Sequence, residues 1–102
     1  MATTARIIAT TAASTAYTAT IEAGAVGNFI AIGMVNDDFP IVFEGSDAAG
    51  TGFTPLTYLD KKGDRMVAQL AIGYETIQLV GPIDFRINKP TTANAVEVSQ
   101  YT

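Results

Sequence analysis

A chain of 102 residues, 48% hydrophobic and 16% charged with a net charge of −4, has the composition of one folded domain rather than of a disordered protein. Its six basic residues are scattered, with Lys61 and Lys62 adjacent in a turn, so the clustered cations that nucleic acid requires are missing and no nucleic-acid partner is expected. Cysteine and histidine are both absent, which removes disulfides, thiolate and imidazole metal ligands, thiol nucleophiles and every His-containing triad.

No run approaches the roughly 18 apolar residues of a helical membrane span, so no membrane partner is expected. Thr and Ala fill positions where Lys and Glu would ordinarily cover a soluble monomer, which points to a surface partly covered by a partner. The opening "MATTARIIATTAASTA" carries Arg6 and small residues near Ser14 to Ala16, as a secretory signal would. Its apolar stretch is interrupted by Thr and contains no Leu or Phe. A Thr/Ala-rich arm over residues 1–16, flexible alone and ordered against a neighbour, is expected instead, with one β domain over residues 17–102.

From Tyr17 the pattern has period two. Tyr17, Ala19, Ile21 and Ala23 share one face of a strand and Thr18, Thr20 and Glu22 the other. "GAVGN", Gly24 to Asn28, reads as a turn, and "FIAIGMV" as a strand apolar on both faces, with Gly33 marking a bulge or close backbone approach. "NDDFP" breaks the chain before the short strand "IVFE", Ile41 to Glu44, and "GSDAAGTG", Gly45 to Gly52, is the longest loop signal. "PLTYL" and "RMVAQLAI" flank "DKKGD" as a hairpin in which Gly63 supplies a positive φ.

Further on, "ETIQLV" and "IDFRIN" are separated by Gly81-Pro82. Proline cannot donate to a ladder and glycine permits a sharp bend, so the pair is expected to turn a corner from one sheet into the next. "AVEVSQY" closes the chain with another alternating strand. No 3.6-residue periodicity persists for three turns. The expectation is an all-β, antiparallel sandwich or small barrel of about seven to eight short strands with an N-terminal arm.

Candidate chemistry is sparse. Gly45 to Gly50 has phosphate-loop spacing, but Thr51 and Gly52 stand where Lys and Ser/Thr are needed and no helix follows, so no nucleotide site is expected. Asp37 with Asp38, and Asp60 with Asp64, are the close acidic pairs; neither has calcium-loop spacing, and turn-forming aspartates are the simpler reading. Two carboxylates can hydrolyse glycosides when held about 5 to 10 Å apart across a cleft, for which a domain this small has little room. We therefore expect no enzyme, with no catalytic, cofactor-binding or metal-binding residue. Tyr58, Tyr74 and Tyr101 could together form a sugar-binding platform, although Trp is absent. Arg6, Arg65 and Arg86 are candidate polar anchors for a partner.

The last third, "GYETIQLVGPIDFRINKPTTANAVEVSQY", carries Gly73 and Glu75 with Tyr74 between them, Gly81-Pro82, Phe85-Arg86 and Lys89-Pro90-Thr91 ahead of a Val-rich strand. That succession resembles small structural proteins of tailed bacteriophages, the head decoration or cement proteins. The resemblance implies a β-rich, non-enzymatic virion protein, made in the host cytoplasm and bound to the capsid exterior. It also implies the major capsid protein as partner and a homo-oligomer, trimer or dimer. A carbohydrate- or receptor-binding module on a phage appendage, and a tail tube or tail-end protein, are the alternatives.

Overall fold

Alternation along the strands sends Phe29, Phe43 and Phe85 to the interior, where their ring centroids lie 5.0 to 6.1 Å apart. These rings come from two sheets and hold them face to face. A computed structural model describes residues 4–46, 52–59, 61–73 and 75–101, and the described residues are all-β. The strands are β1 (Thr4–Thr10), β2 (Thr18–Ile21), β3 (Val26–Ile32), β4 (Ile41–Ser46), β5 (Phe53–Pro55), β6 (Thr57–Leu59), β7 (Arg65–Val67), β8 (Gln69–Leu70), β9 (Thr76–Val80), β10 (Ile83–Asn88) and β11 (Val96–Tyr101).

One sheet has the order β1-β11-β3-β9. The other has the order β2-β10-β4-β5, with β8 also paired to β4, and β6 with β7 forms a separate two-stranded ribbon. Every pairing is antiparallel. The core joins Phe29, Ala31, Val96 and Val98 of the first sheet to Ile21, Ile41, Phe43, Phe85 and Ile87 of the second. Each fully buried large side chain contributes about 1.5–3 kcal/mol, so this aromatic and aliphatic layer dominates the stability.

Among the described residues the strands number eleven, against the seven or eight expected. "PLTYL" and "RMVAQLAI" each divide, at Leu56 and at Ala68, because their tips leave the sheet as the ribbon. The remaining extra strand is β1, in the segment expected as a free arm. Residues Thr4 to Thr10 instead pair with β11, and Ile8 lies in the core. The chain after β1 is also tied down: Thr11 O accepts from Thr92 N (3.0 Å), and Ser14 exchanges backbone bonds with Lys89 (2.9 Å each). Apolar burial of Ile8 and a ladder along β11 outweigh the weak local signal of a Thr/Ala sequence.

Two boundaries also move. β3 begins at Val26, inside the expected turn, because its ladder with β9 runs from Ile30 to Val26. β4 runs through Gly45 to Ser46, beyond the expected end at Glu44. Gly45 is buried opposite Phe85 and Thr54, and a Cβ there would stand 2.5 Å from Leu56 Cδ2. It belongs to the strand because a neighbouring side chain occupies the space of its own. Residues 47–51 of the expected loop lie outside the described residues.

Gly81-Pro82 turns the corner between the sheets. β9 ends the first sheet, β10 lies in the middle of the second, and the Gly81-Pro82 peptide is cis. Gly81 N donates to Ala25 O (2.9 Å). A Cβ on Gly81 would overlap Glu22 O and lie 2.7 Å from Ile21 O, both backbone atoms that cannot rotate away.

Candidate interaction surface

The ribbon grows from one junction on β4. The outer edge of β4 is shared: β5 pairs with Glu44 to Ser46, and β8 with Ile41 and Val42. At Phe43 between them, the backbone O accepts from Leu56 N and the N donates to Ala68 O, both at 2.9 Å. Ala68 N then donates to Leu56 O (2.8 Å), closing the neck from which β6 and β7 project. Their register is Thr57 with Val67, Tyr58 with Met66 and Leu59 with Arg65, and Gly63 at the tip has the expected positive φ of 86°.

All six ribbon residues are exposed, although four are large and apolar. Leu59 is 66% accessible, Tyr58 51%, Met66 43% and Val67 39%. A two-stranded ribbon lacks a buried face of its own and is marginal in water. Contiguous exposed apolar side chains of this kind mark interaction sites.

Beside the ribbon runs β9, the last strand of the first sheet. Two adjoining hollows lie between them, of about 370 and 360 Å³, sharing Tyr58 and Ile77. Leu56, Ala68, Leu79 and Val80 line the first, and Met66, Val67 and Ala71 the second. Among the described residues, no charged side chain lines either hollow. Such a surface favours apolar or backbone-mediated contact over chemistry that needs a charged group.

The residues singled out from sequence mostly take structural posts. Asp38 Oδ2 accepts from Val35 N (2.9 Å) and Oδ1 from Ala93 N (3.2 Å), so this carboxylate fastens a turn to the β10–β11 connection. Asp37 is exposed beside it, Asp64 is exposed at the ribbon tip near Lys61 and Lys62, and Asp60 lies outside the described residues. No group of three acidic residues among those described is placed to hold a metal ion.

Arg86, proposed as an anchor, is engaged within the fold. Its Nε and Nη2 both donate to Glu44 Oε1 (2.9 and 2.7 Å), and its guanidinium lies 4.6 Å from the Phe53 ring centroid. Arg65 Nη1 donates to Thr57 Oγ1 across the ribbon (2.9 Å), and Arg6 lies in β1 opposite Ser99. Tyr58 stands on the ribbon, whereas Tyr101 sits in β11 between Thr4 and Asn28. Different elements thus carry these two tyrosines, and Tyr74 lies outside the described residues.

Sequence reasoning missed Lys89, which is fully buried. It continues the inward parity of Ile83, Phe85 and Ile87 one step beyond β10. Its Nζ donates to Pro90 O (2.9 Å), Ala12 O (3.1 Å) and Thr92 Oγ1 (3.1 Å), so all three ammonium protons have acceptors. Burial holds its pKa below the ordinary lysine value, while the Asp38 carboxylate pulls the other way. Lys89 is a clamp joining the segment after β1 to the segment before β11. The signal was available: a lysine in phase with three inward apolar residues.

No family model, no curated protein and no solved structure matches this chain.

Proposed function

We propose that the protein is a non-enzymatic structural component of a phage virion, a capsid decoration or cement protein that binds the outside of the assembled head across capsid subunits. The observation that carries this is the projecting ribbon, whose Tyr58, Leu59, Met66 and Val67 are exposed together beside a sandwich with a buried aromatic core. The phage-like succession from Gly73 to Tyr101 supports the same reading, as do the described residues lining the hollows beside the ribbon, none of which is charged.

In this mechanism the sandwich positions the ribbon and the ribbon buries apolar surface at a joint between capsid subunits. Binding the assembled lattice alone stabilises it by mass action, by about 2.7 kcal/mol per site at a hundredfold excess over the dissociation constant. Repetition over many sites makes modest individual contacts sufficient. The test is to heat or osmotically shock particles lacking this protein, with and without the purified chain added back. Improved survival with stoichiometric binding is expected; unchanged survival and no binding to heads would remove the cement role.

A further inference from the structure

The slot between β9 and the ribbon is built for an occupant of particular chemistry. Ala31 N donates to Glu75 O and Gly81 N to Ala25 O, each at 2.9 Å, in the β3–β9 register. Hydrogen-bonded and non-bonded pairs alternate along an antiparallel ladder. Ile77 and Leu79 therefore turn their backbone groups toward β3, and Thr76, Gln78 and Val80 turn theirs away. β9 ends its sheet, so no strand among the described residues takes up those outward groups.

Every residue of β9 lines a hollow: Ile77 to Val80 the first, Thr76 and Ile77 the second. Tyr58 of the ribbon belongs to both, so Tyr58 and Ile77 mark a waist between them. The hollows thus succeed each other along the strand, and at about 370 and 360 Å³ each has room for a side chain.

An occupant that displaces water here must pair the backbone groups of Thr76, Gln78 and Val80, because burying them without partners is costly. A compact apolar molecule does not do so. An extended peptide does, since its own N–H and C=O groups recur at the repeat of β9. Its residues opposite Ile77 and Leu79 point to the ribbon side about 7 Å apart, one for each hollow. The ribbon bounds the slot on its far side, which suits a free segment rather than the edge of a second sheet. Among the described residues no charged side chain lines the slot, so a charge on those inward residues would be buried unpaired. Tyr58, Met66 and Val67 line the slot and also form much of the exposed ribbon surface, making one continuous contact.

We propose that the slot binds an extended, uncharged segment of the partner protein, which adds a strand to β9 and seats apolar side chains at positions i and i+2 in the two hollows. This rests on the reading of the ribbon as the face that meets the partner.

The probes are synthetic, end-capped peptides of the form Thr-Φ-Thr-Φ-Thr, with Φ varied over Val, Ile, Leu, Met and Phe. Nuclear magnetic resonance titration of the whole chain reads binding, and amide exchange reads the ladder. Saturable binding of members of this set is expected, with slowed exchange at the amides of Thr76, Gln78 and Val80. Methylating the peptide's threonine nitrogens, which face β9, should weaken binding at least about tenfold, whereas methylating the Φ nitrogens should not. Gln78→Pro should weaken it likewise: Gln78 is exposed, its N–H points away from β3, and edge strands tolerate proline at such positions. No binding by any peptide would overturn the proposal, as would binding indifferent to threonine N-methylation or protection that spares these three amides. Peptide binding without head binding would remove the head reading and leave the slot; head binding without peptide binding would do the reverse.

Discussion

Replacing Lys89 with Met tests whether the buried ammonium is a clamp or a burden. The substitution keeps most of the aliphatic stem and removes three hydrogen bonds, to Ala12 O, Pro90 O and Thr92 Oγ1. Thr92 Oγ1 keeps a partner, since it donates to Asn94 O (2.7 Å), but the two carbonyls lose theirs. Each bond from the charged ammonium contributes about 1.5–3 kcal/mol, a gross loss of about 3–6 kcal/mol for the two carbonyls, and water reaching the exposed Ala12 and the half-buried Pro90 recovers part of it. Relief of the desolvated charge offsets part of that. We expect a net destabilisation of about 1–4 kcal/mol at pH 7, measured by urea unfolding, with faster amide exchange at Ser14 and Thr92. The pH dependence supplies a second readout. Because burial lowers the folded-state pKa, the unfolded chain binds more protons between that lowered value and about 10.4. Wild-type stability therefore gains a rising contribution from Lys89 as pH climbs through that window, and Lys89→Met lacks it. A variant as stable as wild type at pH 7, with the same slope at alkaline pH, would refute the clamp.

Gly81→Ala should lower stability by about 1–3 kcal/mol or more, because the added methyl meets Glu22 O and Ile21 O, and thermal unfolding reads it directly. Deleting residues 1–10 removes β1 and Ile8 from the first sheet, so the truncated chain should unfold at lower urea or fail to fold; unchanged stability would restore the free-arm expectation. Glu44→Gln should cost about 1–2 kcal/mol by weakening its bonds to Arg86 and Asn88, and chemical denaturation in low and high salt should show a loss that salt does not erase.

Period-two alternation made the all-β class and the faces of β9 and β10 legible in the sequence, because Ile77, Leu79, Phe85 and Ile87 face inward on a strict parity. The Gly81-Pro82 corner was legible too, since one residue lacks a donor and the other lacks a Cβ. The N-terminal strand was not: "TARIIAT" owes its place to the β11 ladder and to one buried isoleucine, neither of which is a local signal. Gly45 misled for a related reason, because the space that demands glycine is filled by Leu56, eleven residues away. At the interaction surface, sequence supplied the hairpin and its turn, but "PLTYL" and "RMVAQLAI" alternate as buried strands do. That their tips leave the sheet follows from β4 dividing its edge between β5 and β8, which is long-range pairing.

The most direct measurement is quantitative co-sedimentation of the purified chain with expanded heads that lack it, comparing wild type with Leu59→Ser combined with Met66→Ser. Both side chains are exposed, so the variant should keep its melting temperature to within a few degrees. The account predicts saturable wild-type binding and at least about tenfold weaker binding by the variant, since truncating apolar anchors at a contact costs about 1 kcal/mol or more each. Absent wild-type binding, or equal binding by both proteins, would contradict it.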